Sequence, residues 1–184
     1  MEFDEVAAKR ISVRAYQNRE VEDKSINEII ACGHKAPSAG NVKPWEFIVV
    51  RNKTIIADIV DTTYSGSSIN EENPQKWLLT APVLIVVCAN KPKSFKKYGE
   101  EAVKTLIYLD CSACVENMLL KAVDMGLASC YVNGFRIDRL KKVLGLPYYI
   151  EPIAVLPVGY PAGCRAGKTN PASKPLVYNE RYGD

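Results

Sequence analysis

The sequence is poor in the features that mark several protein classes. Its single histidine, His34, leaves no histidine cluster for a metal centre. No apolar run approaches the roughly 20 residues that a membrane span needs. The opening MEFDEVAAKR also lacks the basic and apolar regions of a signal peptide. A cytoplasmic location is therefore expected, with no membrane partner. Charge is unclustered: 24 basic and 21 acidic residues leave a net charge of +3, without the basic blocks of a nucleic-acid surface. No nucleic-acid partner is expected. No G-x-G-x-x-G follows a candidate strand, so a Rossmann dinucleotide site has no support. Near the C-terminal end, Gly163-Cys164-Arg165-Ala166-Gly167-Lys168-Thr169 ends in GKT as a phosphate loop does. It is one residue short between its glycines, and Pro171 and Pro175 oppose the helix that such a loop must open.

What is present fits one well-buried core, and residues 1–184 read as a single domain. Six cysteines, Cys32, Cys88, Cys111, Cys114, Cys130 and Cys164, read as reduced thiols rather than a disulfide framework. Cys111 and Cys114 form a C-x-x-C inside a helical pattern, where core packing is the expected role and redox duty the alternative.

Helix and strand patterns alternate along the chain. Asp23 is placed to cap a helix with Ile26, Ile29, Ile30 and Gly33 on one face, ending before Pro37. Trp45 to Val50 is a short β-branched strand with Trp45 anchoring it in the core, and Lys53 to Val60 a helix behind it. The segment YSGSSINEENP has turn formers and little periodicity, as a surface loop does, and Gln75 to Leu79 makes a helical turn. Val83 to Cys88, VLIVVC, is apolar throughout and predicts a central strand covered on both faces. A short connection then leads to one long helix from Glu100 to Met125, stopped by Gly126. Leu127 to Val132, Ile137 to Leu144 and Ile153 to Gly159 follow as strand, helix and strand, before an irregular tail from Tyr160.

Two stretches carry chemistry. In Arg10-Ile11-Ser12-Val13-Arg14 an extended backbone points residues two apart the same way, aiming two guanidiniums and a hydroxyl at one place. Arginine's planar donors suit phosphate oxygens; a solvated basic face is the alternative. The second stretch, APSAGNVKPW over residues 36–45, joins a helix to a strand with more specialised residues than a connection requires.

RISVR followed by APSAGNVKPWEFIVV resembles the FMN-dependent nitroreductase family, whose members carry an R-x-S-x-R-like segment and a P-S-x-x-N-x-Q-P-W-like loop. The likeness extends through DMGLASCYVNGF, PIAVLPVGYP and Lys174-Pro175, so it covers nearly the whole chain in order. The implied fold is α+β, a mixed and mainly antiparallel sheet flanked by helices, with the C-terminal tail extending onto the partner subunit. The implied assembly is a homodimer with FMN at the subunit interface.

Under this resemblance Arg10 and Ser12 hold the FMN phosphate together with Lys174, Ile11 between them belongs to the cofactor-binding segment, and Arg14 lies toward the ribityl chain or pyrimidine edge. Pro37, Ser38 and Asn41 contact the flavin from the partner subunit. Asn133 and Gly134 approach the ring through backbone groups, and Asn73 and Lys76 reach its pyrimidine side. The protein then binds and tunes a tightly held flavin that does the bond-making. NADH or NADPH gives a hydride to flavin N5 and leaves, and a small electrophilic acceptor such as a nitroaromatic, quinone or flavin takes its place. A flavin-binding redox sensor or flavin store with little turnover is the alternative. No catalytic side chain is needed, so His34 reads as a packing or surface residue, while Trp77 fits either the core or an acceptor pocket. Lys43 departs from the family, standing where glutamine is common. The short connection after Val87 implies a reduced lid.

Overall fold

The computed structural model describes residues 1–65, 73–163 and 175–183. The architecture is α+β, a four-stranded sheet of order β1-β2-β4-β3 with every neighbouring pair antiparallel. Its strands are β1 (Trp45–Val50), β2 (Val83–Asn90), β3 (Ala128–Ser129) and β4 (Ile150–Gly159). The helices are α1 (Phe3–Lys9), α2 (Asp23–Gly33), α3 (Lys53–Thr62), α4 (Lys91–Glu101), α5 (Ile107–Asp124) and α6 (Ile137–Leu144).

The apolar run VLIVVC dictates this layering. Alternate β2 residues face opposite sides of the pleat. Val83, Ile85, Val87 and Ala89 pack under α2 and α5, with Ile26, Ile29, Cys111, Cys114 and Met118. Leu84, Val86 and Cys88 pack on the other side under α3 and α6, with Ile56, Ile59 and Leu140. Trp45 is buried at the start of β1, and its indole Nε1 donates to His34 Nδ1 at 3.0 Å. The lone histidine thus has the packing role expected of it.

β1, β2 and α6 follow the pattern of their residues closely, and Gly126 and Gly145 end α5 and α6 at φ of 72° and 63°. Other boundaries differ. Helix α1 was not expected, its one buried residue being Val6. Asp23 is the first residue of α2 rather than its cap, and its carboxylate accepts from Arg51 at 2.8 Å. The long helix expected from Glu100 to Met125 continues to Asp124 but contains a π-helical turn. After β2 the Asn90 side chain caps α4 by accepting from the Lys93 amide, with proline in the first turn. Gly99 then departs from helical geometry at φ 66°, and a π-helical turn at Ala102–Leu106 leads into α5. The short connection after Val87, from which a reduced lid was expected, is occupied by this eleven-residue helix. The third strand keeps only Ala128 and Ser129, because the chain then leaves the ladder with Val132↔Val155 as an isolated bridge.

Both cysteines of the C-x-x-C are buried in α5 and free. Burial pushes the Cys88 and Cys114 thiols up to about 12 and raises Cys111 as well. Protons retained by the fold would be released by the unfolded chain above pH 9, the ordinary thiol value of 9.0. Thiol burial therefore stabilises the fold fully below pH 9, and the stabilisation is lost as pH rises toward 12. Urea midpoints are expected to fall between pH 8 and 10.5, less so in Cys114→Ala relative to its own value at pH 8.

Candidate functional site

The Arg10 to Arg14 segment is extended and lies beside β3. Ser12 forms a parallel bridge with Ser129, and the Val13 amide donates to the Ser129 carbonyl at 3.1 Å. Cys130, 3% exposed, lies where the segment's side chains converge. Burial pushes its thiol up, while Arg14, a hydrogen bond with Ser12 and Arg10 pull it down, with a net rise. Arg10, Ser12 and Arg14 thus surround one point, as the spacing-two argument requires. Ile11 is half-buried between them. Arg10 is not free of competition: its Nε lies 3.7 Å from Glu116 Oε1 on α5. Beside this point the Ser129 hydroxyl is buried without a hydrogen-bond partner among the described residues.

Arg14 opens onto a cavity of about 530 Å³ whose wall includes Tyr64, Gln75, Trp77, Cys130, Asn133 and Gly134. The guanidinium carbon of Arg14 lies 5.8 Å from the Trp77 ring centre. Trp77 also packs against the α3 and α6 cluster, so it serves both core and cavity. From this segment the cavity takes Gln75 and Trp77. Asn73 and Lys76, expected at the flavin, are exposed and outside the described lining. The reason is local: Gln75 Nε2 donates to the carbonyls of Tyr64 at 2.9 Å and Gly134 at 3.3 Å, which turns its neighbours outward.

Gly134 is required by that packing. A Cβ there would meet the Tyr64 carbonyl oxygen at 2.9 Å and Gln75 Nε2 at 3.2 Å. The close approach that selects glycine is therefore made by the chain itself. Tyr64 also donates its amide to the Gly134 carbonyl at 2.9 Å.

Pro37, Ser38 and Asn41 lie elsewhere. Their loop feeds β1, at the sheet edge opposite β3. Three strand spacings separate those edges, roughly 14 Å. The loop is rigidly held. The Ala39 amide donates to Asp110 Oδ1 at 2.9 Å, the Lys43 amide to Ser38 Oγ at 2.9 Å, and Lys97 Nζ to the Gly40 carbonyl. Gly40, Asn41 and Lys43 all have left-handed backbone, at φ of 52°, 57° and 50°. For the two non-glycine residues this costs about 1–2 kcal/mol each, which the surrounding contacts must overcome. Lys43 Nζ donates to the His34 carbonyl at 3.1 Å, beside the negative C-terminal end of α2. The residue that departs from the family pattern thus stabilises its own loop.

Lys174 and the GKT stretch of the tail lie outside the described residues. Sequence reasoning missed Asp110, Gln75, Tyr64 and Cys130. Asp110 had a signal, being one carboxylate on the apolar stripe of α5, and only 8% of it is exposed.

The site is thus a basic extended segment opening on a cavity of about 530 Å³ at the β3 edge of an α+β sheet. The Nitroreductase family model matches residues 7–160, and the chain belongs to that family of oxidoreductases. An Archaeoglobus fulgidus protein provisionally named NADH dehydrogenase/NAD(P)H nitroreductase is 35% identical over 156 residues, 83% of this chain and 81% of that protein. A crystal structure from Parabacteroides distasonis, provisionally named in the same way, superposes with a TM-score of 0.82 at 31% identity, covering 97% of this chain and 98% of the other. An FMN-dependent nitroreductase of Clostridium difficile shares the fold at 23% identity and a TM-score of 0.70, covering 95% and 91%. No helix among the described residues is long and apolar enough to cross a membrane.

Gly134→Ala is expected to lower stability by about 1–3 kcal/mol through overpacking against the Tyr64 carbonyl, read as a reduced urea midpoint. Asp110→Ala is expected to free the Ala39 amide and increase hydrogen exchange across residues 38–43, leaving the Arg10–Arg14 segment unchanged.

Proposed function

We propose that the chain is an FMN-dependent NAD(P)H oxidoreductase that reduces a small electrophilic acceptor such as a nitroaromatic, quinone or flavin, acting as a cytoplasmic homodimer. The observation that carries this reading is the convergence of Arg10, Ser12 and Arg14 around Cys130 at a cavity walled by Asn133 and Gly134. The donor set fits FMN: two guanidiniums and a hydroxyl suit a phosphate, and the cavity beside them offers aromatic and backbone walls to a planar ring. Lys174 would add a further cation from the tail.

Bound FMN supplies the redox chemistry, passing a hydride equivalent from the nicotinamide to the acceptor in alternate binding steps. The chain's own groups do the rest. Arg10 and Ser12 anchor the phosphate, and Arg14, stacked near Trp77, sets a positive charge beside the ring that favours its reduced, anionic form. Asn133 and Gly134 hold the ring by backbone groups, fixed through Tyr64 and Gln75. In this reading Asn73 and Lys76 have a secondary part, reaching the pyrimidine side only after a side-chain shift.

The edge separation argues for two chains at each site. Within one chain the Pro37–Asn41 loop enters at the edge away from β3, so its contribution would go to the partner's flavin. Its rigid, strained backbone suits a preformed wall. Helix α5 contacts both halves, Asp110 meeting the loop and Glu116 meeting Arg10, and Leu109, next to Asp110, is 62% exposed. A second copy packing on this face would bring each loop to the other chain's cavity. The tail, with Leu176 and Val177 exposed, would then lie along the partner.

Purified protein is expected to be yellow or to become so with FMN, and NADH or NADPH is expected to bleach it rapidly. Protein that stays colourless with FMN contradicts the assignment, and flavin that neither nicotinamide reduces would instead mark a sensor or store. Arg10→Ala is expected to weaken FMN binding by roughly 1.5–3 kcal/mol with the fold intact, the scale of a charged hydrogen bond, measured by flavin fluorescence on dilution.

A further inference from the structure

The geometry points to a second anion site, formed by Arg136 and Arg139, that holds the diphosphate of the nicotinamide donor. It rests on the oxidoreductase reading and adds to it a binding site outside the flavin cavity. The site is a polar depression of about 260 Å³ lined by Asp61, Thr63, Pro74, Arg136 and Arg139.

Its position follows from the chain. Thr63 and Pro74 are the immediate sequence neighbours of Tyr64 and Gln75, which wall the flavin cavity, so adjacent Cα atoms are only about 3.8 Å apart. The two depressions therefore flank the same pair of segments. Arg136 spans them: its Nη1 lies 3.5 Å from the Thr63 carbonyl oxygen and its guanidinium carbon 5.8 Å from the Tyr64 ring centre. A dihydronicotinamide ring in the larger cavity is joined through one ribose to its first phosphate, which places the diphosphate next door.

The charges agree. Arg139 is exposed on the first turn of α6 and makes no ion pair among the described residues. Arg136 is the N-cap residue of the same helix, so both guanidiniums stand at its positive end. Asp61 lines the depression and Asp138 sits in the first turn. Planar guanidiniums match diphosphate oxygens in pairs.

The test compares two donors on the flavin-loaded protein by stopped-flow bleaching: NADH, and 1-benzyl-1,4-dihydronicotinamide, which has the same reactive ring and no phosphate. Arg139→Ala is expected to raise the apparent Kd for NADH about tenfold, as loss of one charged contact would, and to leave the benzyl donor unchanged. Arg139→Lys is expected to fall between. Inorganic pyrophosphate titrated calorimetrically into the flavin-loaded wild type is expected to bind saturably and more weakly in high salt, with binding lost in Arg139→Ala. Equal changes for both donors, no change for either, or no pyrophosphate binding to the wild type would overturn the site. Loss of the anion site with rapid bleaching retained would leave the proposed function standing. A protein that holds no flavin would refute that function and the donor assignment with it.

Discussion

The complete burial of β2 is the constraint from which the rest follows. Seven consecutive residues, Val83 to Ala89, are withdrawn from solvent, at 1% exposure or less. Such a strand requires cover on both faces, and the chain supplies it with α2 and α5 on one side and α3 and α6 on the other. With β2 and β4 in the middle, the segments that enter β1 and leave β3 are forced to opposite edges of the sheet. The two specialised stretches therefore start from opposite edges of one sheet.

That separation gives the two specialised stretches different physical characters. The Arg10–Arg14 segment is tied by backbone bonds to β3 and presents exposed charge, with Arg14 and Ser12 accessible to solvent. The 37–43 loop spends its polar groups on itself and on Asp110, and stores left-handed backbone at Asn41 and Lys43. One stretch reaches outward for a ligand and the other is a finished surface. In the proposed dimer a site is built from both, and α5 touches each.

Much of this was legible where the signal is local. VLIVVC specified a doubly covered strand, WEFIVV its neighbour, and the stop glycines at 126 and 145 were read correctly. Spacing two in RISVR put Arg10, Ser12 and Arg14 on one side of an extended segment, with a solvated basic face as the alternative. The failures share a different cause. A helical pattern does not show a local change of winding, so the π turn at 102–106 was invisible within a periodicity that continues across it. Asp23 looked like a cap because the sequence could not show Arg51 waiting for its carboxylate. Near Gln75, Asn73 and Lys76 were chosen by family likeness, and the hydrogen bonds from Gln75 to the Tyr64 and Gly134 carbonyls, which no sequence pattern shows, put Gln75 itself in the cavity wall. Lys43, the clearest departure from its family's pattern, proves to be explained by the backbone it holds, through the His34 carbonyl.

The shared site is the central claim, and sedimentation followed at the flavin's visible absorbance tests it most directly. Across a dilution series the flavin is expected to sediment with the dimer and to be released as monomer forms. A monomer that carries flavin through the whole series would contradict the account.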